Sequence, residues 1–269
     1  MRNPQKPFSL KTYLLVVVAA SWPLQIAYVL WAETPFMRYA LSSLPMIMVA
    51  VGTYIAGRYI FRDGFSKAGW NWGKSKHYLA VFSLAIFVWV VPTILELVLG
   101  MRSIPRGVIV PDILGNFLLR FVGTLIPAFG EEFGWRGYML PHLVKQYRLR
   151  TALLLHAFIW WAWHLPVIVG IGMAEKLTDN VGTSIAIVLA LSLIPTMMHA
   201  MIYAYIWTVT QSLAVVTVYH AAFDEIRDAI ETSIGLSSLV QVWQMLTLTI
   251  LGGLLLWKGN WQQLTAKKT

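Results

Sequence analysis

Apolar residues fall in eight runs of about membrane-spanning length, separated by short polar stretches. The runs are Thr12 to Trp31, Tyr39 to Ile60, Tyr78 to Leu99, Ile113 into a Glu-Glu segment, Thr151 to Ile171, Thr183 to Thr208, Leu213 to about Ile226, and Leu239 to Trp257. A helix needs roughly 20 apolar residues to cross a bilayer, and in hydrocarbon the backbone must satisfy its own hydrogen bonds. The pattern therefore predicts an all-α, polytopic integral membrane bundle of about eight transmembrane helices. Pro105 and Pro111 break the chain between the third and fourth runs, Pro166 interrupts the fifth, and Pro195 lies inside the sixth.

Composition agrees with the pattern. Hydrophobic residues make up 58% of the chain and charged residues 12%, against roughly 25% charged in a soluble domain. In 269 residues such helices leave almost no extramembrane mass, so one integral domain, 1–269, is expected. The formal charge of +9 does not point to nucleic acid. Most Lys and Arg lie at the N-terminus, in the 58–76 loop, in the 136–150 segment and in the C-terminal tail. That is a positive-inside distribution with both termini cytoplasmic. Arg2, Lys6 and Lys11 ahead of the first run look like the front of a signal sequence. The run is long, however, and no A-x-A-like site follows it, so an uncleaved span is expected. With no cysteine, disulfides, a thiolate nucleophile and Cys-ligated zinc are excluded.

Ionisable residues inside apolar runs change the picture most. The stretch Phe129–Gly137 puts Glu131, Glu132 and Arg136 at the end of the fourth run. Each charge in hydrocarbon costs about 2.5–3.5 kcal/mol on insertion scales, so such groups are rare unless used. Glu132 and Arg136, four apart, share a helix face and can pair, while Glu131 is turned roughly 100° away. On the fifth run His156, Trp160 and His164 line one face; on the seventh His220 and Asp224 do the same. Residues of this kind face a bundle interior or a wet cavity. A cavity shared by Glu131, His164, His220 and Asp224 is the economical arrangement, with a catalytic core at roughly 113–226. His156 reads as a polar group near the interface, His199 as a bond to another helix, and His142 as a residue of the 137–150 loop without a role. Arg120 and Glu96 are candidates to pair within the bundle.

Taken in order, Glu-Glu-x-x-x-Arg (Glu131, Glu132, Arg136), Trp-x-x-x-His (Trp160, His164) and His-x-x-x-Asp (His220, Asp224) resemble the motifs of the CAAX protease and bacteriocin-processing family of intramembrane proteases. The resemblance implies peptide-bond hydrolysis in a cavity open to the cytoplasmic side. Its substrates would be hydrophobic or membrane-associated peptides, prenylated CAAX tails among them. With no cysteine and no serine in the motifs, water is the nucleophile. Glu131 would be the general base, His164 would position the water, and His220 with Asp224 would polarise the carbonyl or stabilise the oxyanion. Glu132 and Arg136 would fix the end of the span, and Trp160 would line a groove. Trp160 stands where the family usually has Phe. Asp224 stands where Asn or Asp occurs, and an ionised Asp only accepts hydrogen bonds.

A divalent metal such as zinc fits the same set, with Glu131, His164 and His220 as ligands. The helical His-Glu-x-x-His signature is absent, so metal-independent chemistry is favoured. The expected partners are a peptide or protein substrate and membrane lipids, and the location is the plasma membrane of a bacterium or the endoplasmic reticulum membrane of a eukaryote. Competing readings are a proton- or ion-coupled small-solute transporter and a non-catalytic membrane immunity or scaffold protein.

Overall fold

The computed structural model describes residues 6–108 and 110–265, and every regular element among them is helical. Arg2, Lys267 and Lys268, counted in the charge bias, lie outside the described residues. The elements are α1 (Leu10–Trp31), α2 (Pro35–Ile55), α3 (Ser75–Val98), α4 (Val110–Glu132), α5 (Leu140–Gln146), α6 (Leu149–Trp163), α7 (Leu165–Glu175), α8 (Val181–Thr210), α9 (Leu213–Ile234), α10 (Ser238–Lys258) and α11 (Gln262–Thr265). Ser9, Thr34, Asn180, Ser212 and Ser237 cap α1, α2, α8, α9 and α10, each side chain accepting a first-turn N–H. Such caps satisfy donors that a helix start leaves orphaned.

Helical segments occupy all eight expected places. Six are long and apolar enough to cross a membrane, and the bent pair α6–α7 makes a seventh if counted as one span. The bend of 52° falls at His164, just ahead of Pro166. α9 fills the remaining place, that of the seventh run, but carries Asp224, Glu225, Arg227, Asp228 and Glu231, too many charges to pass on composition. It packs instead against α3, α4 and α8 as an inner helix. Large apolar side chains such as Leu79, Leu119, Val122 and Ile250 point outward. On a soluble monomer this much apolar surface would be anomalous; on a multi-pass membrane protein it is the lipid face.

Three expectations need correction. The 137–150 segment is not a loop, because the helix begun at Val110 continues to Gln146. The seventh run, expected to end at about Ile226, continues as helix, since α9 runs to Ile234. Glu96 and Arg120 do not pair with each other. Glu96 is 3.1 Å from Arg102 and accepts from Ser237, while Arg120 is 3.9 Å from Asp228.

Candidate functional site: an ionisable cluster between α4, α6 and α9

The helix that starts as α4 widens into a π-helix over Phe133–Met139 before narrowing again as α5. Such segments occur frequently at functional sites, and here one begins directly after the two glutamates. Glycines let this stretch press against α2. A Cβ on Gly130 would lie 2.8 Å from the Met46 carbonyl, and one on Gly134 would lie 2.4 Å from Val49. The Gly134 carbonyl also accepts the Tyr13 hydroxyl of α1 at 2.9 Å, and the same hydroxyl sits 2.9 Å from Thr53.

Because Glu131 and Glu132 are roughly 100° apart on the helix, neighbours on two sides receive them. Glu131, 1% exposed, accepts the Trp160 indole N–H from α6. Glu132, fully buried, uses one oxygen for two donors: Arg136 Nη1 at 2.9 Å and His220 Nδ1 of α9 at 2.8 Å. The Glu132–Arg136 pair is the expected one. The bond to His220, across 88 residues, is not visible in any spacing.

His220 is engaged on both sides, since its Nε2 lies 3.3 Å from Asp224 one turn on. If both carboxylates are ionised, both contacts call for ring N–H donors. Asp224 thus sits where it orients His220, and its second oxygen lies 3.7 Å from Arg227. His164, at the α6–α7 bend, directs Nδ1 to the Trp160 carbonyl at 2.7 Å. That bond makes Nδ1 the donor and leaves Nε2 with a free lone pair. Glu131 is within electrostatic reach of both His164 and His220. The rings of Trp160, Tyr203 and His220 join the two halves, with centroids 5.4 Å and 5.2 Å apart.

The structure therefore brings Glu131, Glu132, Arg136, Trp160, His164, His220 and Asp224 into one cluster. Glu132 and Arg136 lie deepest, and His164 and Asp224 are partly exposed. Sequence reasoning missed Tyr203 of α8. The fully buried Arg136 guanidinium lies between its ring, 4.3 Å from the centroid, and that of Trp160, 4.8 Å away. Stacking of this kind attracts a desolvated cation by about 2 kcal/mol. The signal was present: Tyr203 follows His199 by four and shares its face. His199 does bond another helix, reaching the Tyr219 hydroxyl of α9 at 3.0 Å. His156 is fully buried. His142 is on α5, 2.7 Å from Asp63.

The expected metal set does not fit as placed. Among the described residues no group of three or more His, Cys, Asp or Glu side chains is arranged to hold an ion. His220 has both nitrogens directed at carboxylates, which leaves no lone pair for a metal without rearrangement.

Fold and cluster together define a multi-pass helical membrane protein with a buried, ionisable site on three helices. Residues 113–226 match the family described as Type II CAAX prenyl endopeptidase Rce1-like. A stretch of 44 residues is 43% identical to CAAX prenyl protease 2 of Methanococcus maripaludis, covering 16% of this chain and 16% of that protein. The family read from the three motifs is the family these matches find, over the segment that carries the motifs.

Proposed function

We propose that the protein is an intramembrane endopeptidase that hydrolyses peptide bonds with a Glu131-activated water. The observation that supports this reading is the convergence of Glu131 and His164 around Trp160. Each retains an acceptor, a second carboxylate oxygen and the His164 Nε2 lone pair, and His164 is partly exposed. A water between two acceptors donates to both and turns its own lone pair toward an incoming carbonyl carbon. Glu131 takes one proton as the oxygen attacks. The carbonyl π electrons move to oxygen, and the oxyanion meets the His220 Nε2–H, whose 3.3 Å contact with Asp224 is long enough to be shared. Collapse of the tetrahedral intermediate breaks the C–N bond, and Glu131 returns its proton to the leaving amine. Glu132 and Asp224 hold His220 from both sides, and Arg136 holds Glu132. No step requires a metal.

The substrate class that fits the family match is a hydrophobic or lipid-modified peptide, with a prenylated C-terminal segment the first to test. The positive-inside distribution supports cytoplasmic termini, and the family resemblance supports a site reached from that side. The protein reconstituted in liposomes, incubated with a farnesylated peptide and followed by mass spectrometry, is expected to give one discrete cleavage. Glu131→Gln is expected to abolish it. A carrier would instead lose solute uptake in that variant, and a scaffold would lose neither. A chelator is expected to leave cleavage unchanged; loss that zinc restores would overturn the metal-free chemistry.

A further inference from the structure

Behind the cluster lies a second set of polar atoms that the chemistry above does not use. His156 of α6 is 0% exposed, and its one protein hydrogen-bond partner is the Trp135 backbone, so its other ring nitrogen is left without a protein partner. Trp135 leads directly into Arg136. Arg136, also 0% exposed, donates from Nη1 alone, leaving Nε and Nη2 without acceptors; Glu132 Oε2 is unpaired beside them. Leaving a buried polar group unsatisfied is expensive, and native proteins rarely leave several together. The inventory is complementary. Arg136 offers three N–H groups here, a neutral imidazole offers one acceptor nitrogen, and Glu132 Oε2 offers two lone pairs.

We infer that His156 is a positioning residue of the candidate site: its neutral ring accepts from the Arg136 guanidinium through a trapped water, fixing the plane in which Arg136 holds Glu132 against His220. Such a water has the two to four polar partners that buried waters require. The guanidinium faces are already set by the Trp160 and Tyr203 rings. Only its edge is undetermined, and His156 lies on α6, the helix that also carries Trp160 and leads into His164. This rests on the proposed hydrolase reading for its activity arm but not for its spectroscopic arm.

The test compares His156→Leu, which preserves volume without an acceptor, with His156→Gln, which restores one. In 15N-histidine-labelled protein in detergent, with the His220 signals assigned by their loss in His220→Gln, His156→Leu is expected to move the His220 ring resonances and His156→Gln to return them. In the cleavage assay, with Glu131→Gln as the inactive reference, His156→Leu is expected to lower kcat about 10- to 100-fold, the scale of one hydrogen bond to a charged group. KM should not change, and His156→Gln should recover most of the loss. Unmoved His220 resonances in a folded His156→Leu protein overturn the inference whether or not the protein is a protease. A shift in both variants alike also overturns it, because packing alone would then explain it. If Glu131→Gln still cleaves, the hydrolase reading fails and the resonances decide the positioning role.

Discussion

Glu131 and Glu132 are neighbours of one type on one helix, yet their removal is expected to have different consequences. Glu132 accepts from Arg136 at 2.9 Å and from His220 at 2.8 Å, with all three side chains at 5% exposure or less. Glu132→Ala strands a buried guanidinium whose faces are stacked but whose charge is then unpaired. Breaking a buried pair by deleting one partner costs about 3–5 kcal/mol. At about 2–4 °C per kcal/mol for a chain of this size, the melting midpoint should fall by roughly 6–20 °C. Glu131→Gln keeps an acceptor oxygen for the Trp160 indole, so its cost is about 1 kcal/mol or less and its midpoint should stay within about 4 °C. Its cleavage, in contrast, should be lost. Thermal unfolding of the detergent-solubilised variants by circular dichroism, paired with the peptide assay, separates the two. A Glu132→Ala protein that melts with wild type, or a Glu131→Gln protein that melts as low as Glu132→Ala, refutes the division.

Three further outcomes follow from other contacts. Gly134→Ala places a methyl 2.4 Å from Val49 and 2.8 Å from Thr53, an overpacking cost of about 1–3 kcal/mol. Gly115→Ala, which meets nothing within 4 Å, should melt no lower than wild type, and equal midpoints for the two would sink the packing argument. Asp224→Asn retains an oxygen toward His220 and should keep cleavage within about tenfold, the scale of one ordinary hydrogen bond, whereas Asp224→Ala should lose more; equal losses would remove the orienting role. Burial pushes the Asp63 carboxyl up, but the bonds from His142 and Tyr138 outweigh it and hold the group below its usual range. Its contribution is therefore present above the unfolded-state value of about 3.9 and fades as pH falls through the lower folded value. Asp63→Asn should flatten the midpoint-versus-pH curve below about pH 4, and an unchanged curve would contradict this.

The helical bundle was legible because lipid demands long apolar runs, and six of the cluster residues because charge inside those runs is costly; Trp160 was legible from the face it shares with His164. What stayed hidden has specific causes. Hydropathy cannot see a helix that continues through Arg136 and Lys145, so 137–150 read as a loop. A uniform 3.6-residue period cannot register the wider π turn at Phe133–Met139. Pairings between helices, such as Glu132 with His220 or Arg120 with Asp228, depend on packing rather than spacing. The expected Glu96–Arg120 pair failed because Arg102, in the next loop, reaches Glu96 first. The full burial of His156 went unseen because depth in the bundle is not a property of one helix. Asp224, undecided by sequence, took its place beside His220 from the one-turn spacing already visible.

The hook from α1 has a practical consequence. Tyr13 holds the backbone at Gly134, Ser21 accepts the Trp163 indole at 2.8 Å, and Trp22 donates to the Trp163 carbonyl at 3.0 Å. These clamps reach two of the three motif-bearing helices from outside the segment that matches the family. Excising 113–226 as a minimal fragment would discard its own backing. Engineering, tagging or truncation at the amino-terminal end belongs in the same plan as work on the glutamates.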